Sequence, residues 1–403
     1  MNFDDTPEEA AFRAEVRAWL NANAPKSRTS DIIADSKAWQ RKKYAAGWAC
    51  LHWPKEYGGR SATPIERVIW GQEEGDFADL SGLFIIGQGM CGPTMMAYAT
   101  KEQKQRHLPA IASGEEVWCQ LFSEPAGGSD LAGLRTRAEL APDGSGDWII
   151  NGQKIWTTGA QFSDYGILIT RTDPTVPKHK GLTMFYLSMR APGVEVRPIK
   201  QANGEATFNA VYFTDVRIPD SQRLGAVNAG WETSLTTLMN ERLTISAGAG
   251  STPFSQILEL CCTLETANGF AVDDPAVQSK LATWAVQTSG LKYTSYRTLS
   301  AISRGERPGP ESSIGKLVSA SMGQDIAMFA LELQAQAGVL IPAKTLGAPR
   351  FQAMLMRSPA TRIEGGTDEI MRNIIGERVL GLPPDMRADK GIPFNEIPTS
   401  AKR

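Results

Sequence analysis

The hydrophobic period changes twice along this chain. In "TPEEAAFRAEVRAWLNANAP", residues 6–25, apolar positions recur at helical spacing behind Thr6, a candidate cap, and Pro7 in the first turn. "TPIERVIWGQEEGDF" repeats the device from Thr63, and "WPKEYGGR" reads as a loop between helices. From residue 119 the period shortens to that of strands. "DYGILITRT", "GLTMFYLSMR", "VEVRPIKQ" and "NAVYFTDVRIPD" are short apolar runs at regular spacing. "DWIINGQKIWTTG" sets Asn151-Gly152 between two alternating runs, which predicts a hairpin turn there.

From Gly230 the helical period returns. "GWETSLTTLMNERLTISAGAG" puts Trp231, Leu235, Leu238, Met239 and Ile245 on one stripe, predicted to be buried. A second helix starts behind Asp273 or Asp274 with Pro275 in its first turn and ends at Gly305. "ESSIGKLVSASMGQDIAMFALELQAQAG" and "TDEIMRNIIGERVLG" complete a bundle. The predicted fold class is α+β. It has an N-terminal helical domain over residues 1–118, a small β-barrel or sandwich over 119–230, a C-terminal four-helix bundle over 231–385, and a polar extended tail over 386–403. The junction of the β domain with the second bundle is the expected place for a ligand cleft.

Charge narrows the function class. The chain has 42 basic and 44 acidic residues, a net charge of −2, and no basic stripe, so no nucleic-acid partner is expected. Residues 80–100 are uncharged and long enough to span a bilayer, yet they hold four glycines and Pro93. They read as a buried helix broken near Gly92-Pro93, and no membrane partner is expected. The five cysteines, Cys50, Cys91, Cys119, Cys261 and Cys262, match neither a zinc site nor a redox pair. Adjacent Cys261 and Cys262 read as small buried residues, and a reducing cytoplasm fits best. His52, His107 and His179 have no metal-ligand spacing.

Four stretches carry candidate chemistry. "CQLFSEPAGGSD", residues 119–130, runs a strand into a Gly-rich turn able to approach a phosphate or a heterocycle. In "GQKIWTTGAQ", Trp156 could cover a planar ring while the hydroxyls that follow bond its edge. "NER" puts Glu241 on a helix, and "TRIEGGTDEI" puts Glu364 directly before two glycines. Either carboxylate could serve as a general base.

Taken together, "FSEPAGGSD", "NGQKIWTTGA", "NER" and "GGTDEI", in that order, resemble an acyl-CoA dehydrogenase over nearly the whole chain. The resemblance implies an FAD cofactor and oxidation of an acyl-CoA thioester to the 2-enoyl-CoA. The α-proton goes to a carboxylate and the β-hydride to flavin N5. It implies that Phe122 and Ser123 contact the flavin edge, and that Gly128 and Ser129 lie near the cofactor phosphates and the CoA arm. Trp156 lies against the isoalloxazine and Thr158 bonds near N5. Thr367 and Glu369 match positions that touch the adenosine portion, and Gly365 the position whose N–H bonds the thioester carbonyl. Electron-transfer flavoprotein is the implied acceptor, and a homo-oligomer, dimer or tetramer, the implied assembly.

The family places its base at either of two positions. The loop position is Gly365 here, one residue after Glu364; the helix position is Glu241. At roughly 100° per residue, Arg242 falls within the apolar stripe and Glu241 at its edge, where an acid can be desolvated yet face a cleft. Glu241 is therefore the expected base. Leu235, Leu238, Ser129, Arg242 and Glu364 are expected to line the substrate site, Glu364 either lining the pocket or pairing with a cation such as Arg362.

One family feature is missing. The Arg-x-x-Phe-Gly stretch that reaches FAD on a neighbouring subunit has no counterpart in "GSTPFSQILELCCTLETANGFAVDDPAV". The stretches "DPAV" and "RPGPESSIGKL" look more like an actinobacterial-type subgroup, some of whose members work in mixed oligomers. A flavin oxidase or monooxygenase on a non-CoA substrate, or a non-catalytic partner subunit, are the alternatives.

Overall fold

The structure is a computed structural model that describes residues 5–27, 29–75, 77, 80–247, 253–304, 309–340, 350–387 and 389–398. The chain forms two compact units. One comprises residues 1–201, 205–244 and 386–403; the other comprises 202–204 and 245–385.

The first unit opens with α1 (Pro7–Asn23), α2 (Ile32–Ala45) and α3 (Pro64–Glu74). The predicted caps are in place. Thr6 Oγ1 accepts the Glu9 N–H at 3.2 Å while the Glu9 carboxylate accepts the Thr6 N–H at 2.7 Å, and Thr63 and Glu66 repeat the box. The uncharged stretch does not break at Gly92-Pro93. A π-turn over Gly87–Cys91 leads directly into α4 (Gly92–Tyr98), followed by α5 (Lys101–Ser113). Gly92 is required because any Cβ there would lie 2.2 Å from the Trp53 ring. Among the described residues, no helix is long and apolar enough to cross a membrane.

One eight-stranded sheet follows: β1 (Trp118–Leu121), β2 (Arg137–Leu140), β3 (Trp148–Thr158), β4 (Tyr165–Arg171), β5 (Leu182–Ser188), β6 (Val194–Ile199), β7 (Phe208–Ile218) and β8 (Arg223–Leu224). The order is β6-β7-β3-β2-β4-β5-β8, with β1 parallel to β4. Strands β4 and β5 are buried on both sides, which explains their near-continuous apolar runs. Ile167 and Ile169 join Trp53, Met95, Leu108 and Ile111 in one core. Leu168 and Phe185 join Ile150 and Val211 in the other.

Asn151-Gly152 is not a hairpin turn. Strand β3 runs straight through it against β7, with a register shift between Ile150 and Gly152. Gly152 adopts φ +150°, and a Cβ there would fall 2.6 Å from Thr136 Cα. The glycine serves a bulge and a close backbone approach, the other physical use of Gly in a strand.

Helix α6 (Gly230–Ala247) belongs to the first unit through Thr244. Its buried face matches the predicted stripe only in part. Leu235 and Met239 are exposed, whereas Thr233, Ser234 and Thr237 are fully buried. Trp231 and Leu238 do pack against the core, and the Ile245 side chain lies outside the described residues. The reason is hydroxyl pairing: Thr237 Oγ1 meets Thr94 Oγ1 of α4 at 2.8 Å, and Tyr98 Oη meets Thr236 Oγ1 at 3.1 Å.

The second unit contains α7 (Pro253–Thr263), the strand pair β9 (Glu265–Thr266) and β10 (Gly269–Phe270), α8 (Pro275–Ser303), α9 (Ser312–Leu333), α10 (Arg350–Thr361) and α11 (Asp368–Ile374). Its core gathers Ile257, Cys261, Trp284, Met322, Ile326 and Phe351. Asp274 caps α8 by accepting the Ala276 N–H at 2.7 Å; Gly305 lies outside the described residues. Cys261 is buried as expected, but Cys262 is exposed, and both are free thiols. Among the described residues, no cluster of acids, histidines and cysteines could hold a metal.

Gly152→Ala tests the bulge. It should destabilise the protein by about 1–3 kcal/mol, seen as a lower urea midpoint. An unchanged midpoint would mean that β3 can shift away from Thr136 without loss.

Candidate active site

The Gly-rich turn is held from beneath by a buried ion pair. Lys154, on β3, is wholly buried, and its Nζ donates to Glu124 Oε1 at 2.8 Å and to the Phe122 carbonyl at 3.0 Å. Glu124 also accepts the N–H groups of Arg135 at 2.7 Å and Thr136 at 2.9 Å. The Ser123 carbonyl accepts the Ile155 N–H at 2.8 Å. Burial pushes the Glu124 carboxyl up, but Lys154 and the two amides outweigh it and hold it below the ordinary value. Burial pushes the Lys154 ammonium down, and Glu124 offsets only part of that. The turn closes on itself through Glu124 N–H to Gly127 O at 3.1 Å and Gly127 N–H to Glu124 O at 3.0 Å. Gly128 and Ser129 are exposed, with open space around Gly128. The Phe122 side chain enters the core, so only its backbone is left to serve a ligand.

Two residues beyond Lys154 the strand changes face. A second register shift lies between Lys154 and Thr157, and Trp156 has φ +60°. That region costs a bulky residue about 1–3 kcal/mol and is found where surrounding structure over-determines it. The bulge reverses the alternation. Lys154 points inward, Trp156 and Thr158 outward, and Thr157 inward again. The indole is 56% exposed and meets only the edge of Phe208, at 6.0 Å between ring centres, among the aromatic contacts of the described residues.

Glu241 lies half-buried on α6, and Gln120 of β1 donates to it, Nε2 to Oε2, at 3.1 Å. The other Gln120 amide atom, Oε1, is buried and has no hydrogen-bond partner among the described residues. Pattern reading did not single out Gln120, because nothing local marks a glutamine 121 residues upstream of its partner. The Arg242 side chain lies outside the described residues. Leu238 packs on the core and Leu235 is exposed.

The second unit holds the remaining expected site residues. Glu364 does pair with a cation, but with Arg357, at 2.6 Å, rather than Arg362. Arg362 instead donates to Asp368 at 2.7 Å and Gln324 at 2.8 Å. Glu364 lines a cavity of about 280 Å³ together with Lys316, Met354, Arg357, Ser358 and Thr361. Gly365 and Gly366 have φ +63° and +99°. Thr367 caps α11 by accepting the Ile370 N–H at 3.2 Å, and Glu369 is exposed.

The chain matches the acyl-CoA dehydrogenase N-terminal domain over residues 6–115, the middle domain over 119–216 and the C-terminal domain over 228–380. It belongs to the acyl-CoA dehydrogenase family. It is thus a flavin-dependent oxidoreductase that acts on acyl-CoA. The acyl-CoA dehydrogenase IpdE1 of Mycolicibacterium smegmatis is 33% identical over 94% of this chain and 99% of that protein. FadE34 of Mycobacterium tuberculosis is 34% identical over 94% of this chain, which spans only 48% of that protein. Two solved structures are similar throughout. The "Tcur3481-Tcur3483 steroid ACAD" has a TM-score of 0.80 at 27% identity, covering 96% of this chain and 100% of that one. The ChsE4-ChsE5 complex from Mycobacterium tuberculosis has a TM-score of 0.79 at 30% identity, with the same coverage.

The residues of this dehydrogenase's first unit fit a flavin. An outward indole, the exposed Thr158 and an open glycine turn suit a planar ring with a phosphate arm. The buried Gln120 Oε1, beside Glu241, lacks a partner among the described residues, which leaves a bonding position for a ligand.

Removing one partner of the buried pair should be costly. Lys154→Met should lower stability by about 3–5 kcal/mol, because it strands the Glu124 carboxylate. Since the folded Glu124 value lies below the ordinary 4.5, its contribution is complete above that pH and is lost as pH falls through the depressed value. Glu124→Gln should therefore flatten the acid limb of stability against pH, measured by thermal unfolding. An unaltered limb would show that the pair does not stabilise the fold.

Proposed function

We propose that this dehydrogenase removes the α-proton of its acyl-CoA with Glu241, and that Gln120 holds that carboxylate in place. The observation that carries the reading is the contrast between the two candidate acids. Glu241 is half-buried and takes a neutral amide donor at 3.1 Å, whereas Glu364 is engaged by a guanidinium at 2.6 Å. A half-buried carboxylate held by an amide of a neighbouring strand is fixed in direction, as a general base must be, whereas Glu364 is exposed and engaged by Arg357. The α-C–H beside a thioester is a very weak acid, so a carboxylate partly removed from water and held in position suits the task.

FAD, when bound, takes up the hydride that leaves the β-carbon. Trp156 covers one side of the ring space, and Thr158 offers a hydroxyl to its edge. The turn at Gly128 and Ser129 offers backbone N–H groups to phosphate oxygens. Electron-transfer flavoprotein is the proposed acceptor. The substrate class we favour is a ring-bearing acyl-CoA, on the strength of the likeness to the "Tcur3481-Tcur3483 steroid ACAD" structure. A mixed assembly with a second, related chain is favoured by the likeness to the ChsE4-ChsE5 complex and by the missing Arg-x-x-Phe-Gly stretch.

The test is anaerobic bleaching of the flavin band by steroid side-chain and straight-chain CoA thioesters. Bleaching should be faster with the ring-bearing class. Glu241→Gln should slow it by about 10²–10⁴-fold, with Glu364→Gln near wild type. The reverse pattern would remove Glu241 as the base. Gln120→Leu should move the acid limb of kcat/KM to higher pH, because a donor to the charged form is lost.

A further inference from the structure

The strand β4 ends in Arg171, whose guanidinium is almost fully buried. It donates to the carbonyls of Leu134 at 3.1 Å, Ala132 at 2.6 Å and Lys178 at 3.2 Å. Its Cζ lies over the Phe394 ring, 3.6 Å from the ring centre. Lys178, in the loop after β4, donates to both carboxylate oxygens of Asp130, at 2.8 and 3.0 Å, and pairs with Asp389 as well. The backbone joins in: Phe394 N–H meets Val176 O and Asn395 N–H meets Pro174 O, each at 3.0 Å, and Pro393 bridges Pro177. Three segments thus converge on one arginine and one lysine. They are the end of the Gly-rich turn at residues 130–134, the loop at 172–181, and the C-terminal stretch at 389–397. All three belong to the first unit, to which the chain returns after building the second.

We propose that Asp389 and Phe394 are positioning residues for the Gly127–Asp130 turn, acting through Lys178 and Arg171. The stretch adds little core: Phe394 is only half-buried, and its ring covers a cation rather than an apolar wall. A ring on a guanidinium restricts where that guanidinium sits, and here the guanidinium holds the chain immediately after the turn. Lys178 links the last residue of the turn to the same stretch. The proposal rests on the reading of this turn as the seat of a phosphate-bearing arm, and it adds a remote element that sets the turn's position.

Phe394→Ala, Phe394→Leu, Phe394→Tyr and Lys178→Met would be compared with wild type in three measurements. These are FAD release from the diluted holoenzyme, followed by flavin fluorescence; KM against kcat for a CoA thioester that bleaches the flavin; and Tm. Phe394→Ala, Phe394→Leu and Lys178→Met should speed FAD release or raise KM by about tenfold with kcat within about twofold, and Phe394→Tyr should restore both. A fall in Tm with FAD release and KM unchanged would make the stretch a structural brace and overturn the proposal. Ser129→Asp, which sets a charge where a phosphate is expected, separates the two ideas. If it weakens binding while the Phe394 and Lys178 variants do not, the positioning role alone fails. If it changes nothing, the turn is not a phosphate seat and both readings fail.

Discussion

The buried pair between Lys154 and Glu124 is the constraint on which the site depends. An ammonium and a carboxylate removed from water are costly, and they persist only when every remaining bonding position is met. Here Lys154 also reaches the Phe122 carbonyl, and Glu124 takes the N–H groups of Arg135 and Thr136. The pair therefore joins the turn after β1, the approach to β2 and the middle of β3 into one rigid piece. Trp156, two residues from Lys154, owes its outward direction to a bulge that begins at this anchored lysine.

Helix α6 is positioned by a different kind of contact. Its inner face carries Thr233, Ser234 and Thr237, and hydroxyl pairs join it to α4 beside the apolar packing of Trp231 and Leu238. Hydroxyl pairs are directional, so they set rotation about the helix axis more tightly than an apolar stripe would. That rotation brings Glu241 to Gln120 of β1.

Much of the fold was legible along the chain. Thr6 and Thr63 mark helix starts because capping is settled within four residues. The apolar runs that became β4, β5 and β7 are dictated by burial on a pleated surface, which also acts locally. The order and spacing of the "FSEPAGGSD", "KIWTTG" and "NER" stretches were enough to indicate the family, since backbone geometry and cofactor chemistry limit what can stand there.

What the tertiary structure decided lies beyond local reach. Asn151-Gly152 satisfies the rule for a turn, yet Thr136, fifteen or so residues away, comes so close that the glycine serves a bulge. Leu235 and Met239 satisfy the rule for a buried stripe, yet Thr94 offers Thr237 a hydroxyl partner and the helix rotates far enough to leave those two exposed. Glu364 pairs with Arg357 and not Arg362, because Asp368 holds Arg362. Gln120 meets Glu241 only because β1 and α6 are brought together by the core between them. Helix caps and strand periods depend on neighbours a few residues apart, so sequence determines them. Charge partners, helix rotation and the use made of a glycine depend on which distant segments arrive, and only the folded chain supplies those.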